Sequence, residues 1–164
     1  KNWMNFCAED DKRRSDTTTK SRVVEAAMTL KEQIARDEGG FRSKPYRDSR
    51  GFLTIGYGRC LDTEGITMAE GEYLLDNDIR DKSIELLQKI PWAETLDDAR
   101  LGVLQNMAYN LGVQGLLGFH KMLAAMQKGD WAMAAIEALN SEWARQVGPR
   151  AYRISRQLET GIWI

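Results

Sequence analysis

Three residues of the types that cleave acetals fall in one short stretch of this chain: Glu38, Asp48 and Thr54. Breaking a glycosidic bond needs two carboxyl groups on opposite sides of it. One is protonated and gives its proton to the leaving oxygen; the other is ionised and stabilises the cationic centre or activates water. Glu38 comes at the end of a helical pattern, and the negative end of a helix disfavours a second negative charge there, which suits a proton donor. The plainer alternative is a pair of solvated acids, because the chain carries 24 Asp and Glu and most acids near helix ends do no chemistry. Composition removes the main competitors. A single His, His120, cannot build a site that needs two or three imidazoles, and it leaves one partner at most for a Ser or Cys nucleophile. Two cysteines, Cys7 and Cys60, make no disulfide scaffold and match no local metal-ligand spacing.

The elements that must position these residues can be read along the chain. Residues 8–21 are polar and aperiodic and read as a loop or extension, with a small apolar patch of Trp3, Met4, Phe6 and Cys7 before them. From Arg22 to about Asp37, Val23, Ala26, Ala27, Leu30 and Ile34 have helical spacing, and Gly39-Gly40 ends the helix. Phe41 to Leu61 then turns Gly-rich, aromatic and β-branched. Asp48-Ser49-Arg50-Gly51 supplies turn chemistry and Phe52 to Tyr57 a strand, which predicts a hairpin or a three-stranded sheet too small to stand without a helix. Folding that hairpin over the helix end would bring Glu38, Asp48 and Thr54 to one cleft.

Thr67-Met-Ala-Glu70 is a capping box, and the helix it opens runs to Ile90, before Pro91. Thr95-Leu-Asp-Asp98 opens another that Gly112 stops. Shorter helices are predicted at Leu116 to Lys128, Trp131 to Leu139 behind Asp130, Ser141 to about Gln146, and Pro149 to Glu159 with Gly161 after it. Trp131, Trp143, Trp163, Met107, Met122, Met126 and Met133 read as core.

The 164 residues suffice for one domain or two small lobes, and a net charge of −1 argues against nucleic acid as partner. Acids dominate 62–98, whereas Arg145, Arg150, Arg153 and Arg156 stand in a stretch with no acid, equally a solvated face or a docking site for an anionic envelope. No run approaches the length of a membrane span, and the first residues lack the apolar core of a signal peptide.

The run DEGGFRSKPYRDSRGFLTIGYGR resembles the catalytic segment of phage lysozymes of the T4 type. The likeness continues through Ile66-Thr67, Met107-Ala-Tyr109-Asn110, Gly115 to Phe119, Gly129-Asp-Trp131, Trp143, Pro149-Arg150 with Arg153, and Thr160-Gly with Trp163, and so covers about 22–164. It implies an α+β, two-lobed lysozyme-like fold. A small antiparallel sheet lobe (about 38–66) would be joined by a long helix (67–90) to a mostly helical lobe (91–164), with 1–21 as an extension. It also implies a monomeric endolysin that hydrolyses the β-1,4 bond between N-acetylmuramic acid and N-acetylglucosamine of peptidoglycan, made in the host cytoplasm and acting in the periplasm without metal or cofactor. Carried over, Glu38 is the general acid, Asp48 places the attacking water, Thr54 helps hold it, and Tyr109 is an aromatic against the sugar chain. Met122 and Glu137 stand where polar substrate contacts would be expected and are not carried over. A lytic transglycosylase, using Glu38 without a water-placing carboxylate, and a non-catalytic wall-binding module are the other classes the pattern admits. Cys7 and Cys60 are either free thiols or a bond tying the extension to the cleft wall, and His120 reads as a helix-surface residue.

Overall fold

The computed structural model describes residues 28–164. The predicted extension, Cys7 and its pairing with Cys60, and the start of the first predicted helix lie outside them. The contacts divide the chain into two compact units, residues 1–65 and 66–164.

In the first unit, α1 spans Leu30–Asp37. It starts behind Thr29, which is extended and forms a capping box: its hydroxyl accepts the Glu32 N–H, while the Glu32 carboxylate accepts from the Thr29 N–H at 2.7 Å. Glu38 is the C-cap residue, and Gly39 and Gly40 follow with φ of +77° and +85°, a backbone that only glycine adopts freely. Three strands come next, β1 (Arg42–Arg47), β2 (Leu53–Gly56) and β3 (Arg59–Cys60), antiparallel in the order β1-β2-β3. Tyr46 and Cys60 flank Thr54 across the sheet. Pro45, which has no N–H to give a ladder, sits on the edge strand, inside the stretch where the β1–β2 register shifts between Arg42 and Tyr46.

The second unit is helical. α2 (Met68–Lys89) starts on the predicted Thr67–Glu70 capping box, and at about 1.5 Å per residue its 22 residues reach about 33 Å. A 3-10 turn at Pro91–Thr95 leads to α3 (Asp98–Leu117), followed by α4 (His120–Gln127), α5 (Trp131–Leu139), α6 (Glu142–Val147) and α7 (Pro149–Thr160). Among the described residues no helix is long and apolar enough to cross a membrane. The core collects Leu86, Val103, Leu104, Met107, Met122, Met126, Trp143, Ile154 and Leu158.

Several expectations change here. α3 is capped by Asp97, whose carboxylate accepts the Arg100 N–H at 2.9 Å; Thr95 instead gives its hydroxyl proton to the Trp92 carbonyl. Gly112 does leave the helical region (φ 72°, ψ 159°), but the helix resumes directly, so the predicted Leu116–Lys128 helix is split at Gly118-Phe119. Trp163 is 64% exposed and Met133 45%, so neither is core. The Trp163 ring instead lies on the bare backbone of Gly102, where a methyl group would stand 2.7 Å from Cζ3.

Candidate active site

Glu38, Asp48 and Thr54 all belong to the first unit, and its turns explain where each one stands. Asp48 follows β1 directly and builds the hairpin. Its Oδ1 accepts the N–H groups of Arg50 and Phe52, both at 2.9 Å, while its own N–H donates to the Phe52 carbonyl and its carbonyl accepts from Gly51. The Arg50 Nε stands 3.7 Å from the other oxygen, Oδ2. Burial, the largest single influence, pushes this carboxyl upward. The N–H groups of Phe52 and Arg50, the Arg50 charge and the Gly51 N–H outweigh it together and hold Asp48 below the usual carboxylate range. One oxygen is therefore committed to the turn, and the other faces the Arg50 guanidinium.

Thr54, at the centre of β2, is 3% exposed, and its hydroxyl donates to the Phe52 carbonyl at 3.2 Å. Its proton is used there, so only the oxygen lone pairs remain to take a hydrogen bond from water. Glu38 is exposed and lies across Gly58, in the β2–β3 turn. Its backbone N–H closes α1 on the Ile34 carbonyl at 2.9 Å, and the Phe41 and Tyr57 rings, 5.4 Å apart, clip the chain after α1 to that turn. Glu38 and Asp48 are thus anchored at opposite ends of β2, with Thr54 between them along the strand.

Sequence reasoning read the Asp48 turn. It missed that one oxygen of Asp48 serves the fold and that the Glu38 side chain rests on a glycine. The repeated Gly of Gly56-Tyr57-Gly58 was the available signal.

This geometry sits inside a recognisable sequence family, because the model of the phage lysozyme family matches residues 36–157, a span that contains all three side chains. The chain belongs to the phage lysozyme family. Among curated relatives, this phage lysozyme family member is 31% identical, over 82% of its length, to the pre-baseplate central spike protein Gp5 of Enterobacteria phage T4. It is 28% identical, over 81% of its length, to probable T4-type lysozyme 1 of Dictyostelium discoideum, and a second such lysozyme matches equally. The chain spans 28% of the spike protein and 95% of each Dictyostelium protein.

The second unit holds Tyr109, Met122, Glu137, His120 and the four arginines singled out in this family member. Tyr109, on α3, is about half exposed and lines a cavity of about 330 Å³ with Trp163, Arg150 and Gln105. Glu137 lines another of about 580 Å³ with Lys121 and Trp143, and Met122 is buried. His120 is exposed at the first position of α4. Arg145 pairs with Glu142 on its own helix, and Arg150 donates to the Asn106 side chain at 2.6 Å, so the arginines of this stretch do not form one uniform face. Among the described residues no group of three or more His, Cys, Asp or Glu gathers to hold a metal ion.

Proposed function

We propose that this chain is an endolysin, a muramidase that hydrolyses the β-1,4 bond between N-acetylmuramic acid and N-acetylglucosamine and so lyses the host. Family membership supports lysozyme-like hydrolysis of peptidoglycan. The observation that carries the finer reading is the contrast between two carboxyls: Asp48, held ionised by N–H groups and Arg50, and Glu38 at the end of α1, whose carboxyl takes no hydrogen bond among the described residues of its unit.

Glu38 gives its proton to the glycosidic oxygen as that bond breaks. Asp48, through Oδ2, accepts a proton from a water and directs its oxygen onto the anomeric carbon, and Thr54 receives a hydrogen bond from the same water. The proton taken by Asp48 returns to solvent, and Glu38 is reprotonated for the next turnover. An inverting outcome needs the two carboxyls about 6.5–9.5 Å apart, with room for that water between them. Tyr109 offers an exposed ring for sugar stacking, and the enzyme acts as a monomer on the periplasmic wall after synthesis in the host cytoplasm.

Product analysis tests the reading. Purified peptidoglycan should yield muropeptides with free reducing ends of inverted configuration; 1,6-anhydro products would identify a transglycosylase, and undigested but protein-coated wall a binding module. Arg153 and Arg156, both exposed on α7, are the arginines we assign to the anionic envelope. Replacing both by Gln should reduce sedimentation with cell walls at low salt, and unchanged sedimentation would remove that role. The likeness to a central spike protein favours one further reading, in which the same hydrolase travels in the virion. Mass spectrometry of purified particles decides between that and release at lysis.

A further inference from the structure

Two glycines frame Tyr57 at the turn from β2 to β3, and they differ in what stands over them. Both hold positive φ, +67° at Gly56 and +80° at Gly58, so a side chain at either position strains the backbone. Nothing lies within 4 Å of where a Cβ of residue 56 would stand. At residue 58 the Glu38 side chain lies lengthwise over the backbone: a methyl there would be 2.8 Å from Cδ and 3.2 Å from Cγ, and closer still to Oε2. We propose that Gly58 is a positioning residue, whose missing side chain forms the seat that fixes the Glu38 carboxyl for proton donation. This inference rests on the reading of Glu38 as the general acid.

The need for a seat follows from what else holds Glu38. A glutamate has three side-chain torsions to fix, and among the described residues of the first unit neither a hydrogen bond nor an ion pair selects among the rotamers of Glu38. The seat itself is firm. Phe41 packs on Tyr57 on one side of Gly58, and on the other Arg59 pairs with Ile55 in the sheet and its Nε donates to the Gly65 carbonyl at 2.6 Å. A substitution at 58 therefore moves the exposed Glu38 side chain before it moves the turn. Carbon atoms in contact sit about 3.5–4.0 Å apart, so relieving a 2.8 Å approach displaces the carboxyl by about 1 Å. A proton donor must lie within about 2.6–3.2 Å of its acceptor, and a misplacement of about 1 Å can cost about 100-fold in rate.

Gly56 supplies the control, since Gly56→Ala carries the same positive-φ strain and meets nothing. Gly58→Ala and Gly56→Ala should lose similar stability. Only Gly58→Ala should lose kcat by about 100-fold on soluble uncrosslinked peptidoglycan chains, with KM within about threefold, and only it should move the carboxyl ¹³C resonance of labelled Glu38. Gly58→Asn, a residue that tolerates left-handed backbone, gives the same readouts if alanine unfolds the unit. Equal losses of kcat in the two alanine variants, or an unmoved Glu38 resonance in Gly58→Ala, would overturn the proposal. Glu38→Gln measured alongside separates the two claims. If it keeps wild-type kcat, the general-acid reading fails; if it is inactive while Gly58→Ala behaves as Gly56→Ala, only the seat fails.

Discussion

The helical unit and the sheet unit achieve order by different means. In the helical unit Leu104, Met107, Leu116, Met122, Met126 and Leu158 are almost wholly withdrawn from water, and that packing specifies the structure. In the sheet unit Thr54 is the one buried residue among those described, and side-chain bonds to backbone take the place of a core: Asp48 to the N–H groups of Arg50 and Phe52, the Asp62 carboxylate to the Leu53 N–H at 2.7 Å, Arg47 to the Gly51 carbonyl at 2.7 Å. A unit held in this way mixes structural residues such as Asp62 and Arg47 with a candidate site residue, Asp48, that builds the turn itself, so in the sheet unit site and fold share contacts.

The comparison breaks most visibly in denaturation. Leu104→Ala or Met107→Ala should cost about 3–5 kcal/mol, because each empties a packed space. Leu30→Ala or Phe52→Ala, at exposed positions of the sheet unit, should cost about 0.5 kcal/mol or less. Equal losses measured by urea unfolding would refute the contrast.

A smaller effect belongs to Arg100, the polar clasp of the helical unit. Its guanidinium lies 4.1 Å over the Trp131 ring, pairs with Asp97 at 2.6 Å, and donates to the Leu158 and Glu159 carbonyls at 2.8 and 2.9 Å. It thereby satisfies the end of α7 from the start of α3. Arg100→Met should cost about 1.5–3 kcal/mol, and Lys should not restore the loss, because one ammonium cannot reproduce the planar fork. Thermal unfolding of the pair checks this.

The smallest effects are electrostatic and set by pH. Asp97, like Asp48, lies below the usual carboxylate range: burial, the largest influence, pushes it upward, but the backbone and side-chain bonds of Arg100 and its charge prevail. Both acids have folded values below their unfolded ones, so their contributions are complete above about pH 4 and fade as pH falls through the lower folded values. Asp48→Asn and Asp97→Asn should flatten the acid limb of stability against pH. Asp48→Asn should also keep the turn through its amide oxygen, whereas Asp48→Ala should speed hydrogen exchange at the Arg50 and Phe52 amides. Slow exchange in the Ala variant would remove the double role.

What sequence could reveal follows the same division. Local chemistry was legible: the Thr67–Glu70 box, Pro149 and Gly161 at the ends of α7, and the Asp48–Gly51 turn. Contacts between distant positions were not. Asp97 displaces Thr95 as cap where Arg100 must also reach carbonyls 58 and 59 residues away. Trp163, apolar enough for a core, lies on Gly102 and stays exposed. Gly58 was visible as a motif glycine, yet the reason for it is a side chain twenty residues earlier in the chain, reached only through the folded turn.

The central claim is that the sheet unit carries the chemistry and Glu38 is its acid. Glu38→Gln tests it most directly, through reducing-end release from purified peptidoglycan followed beside urea unfolding of the same sample. The account predicts a fall of about 10²–10⁴-fold in rate with the unfolding midpoint unchanged. Release near the wild-type rate from the folded variant would contradict it.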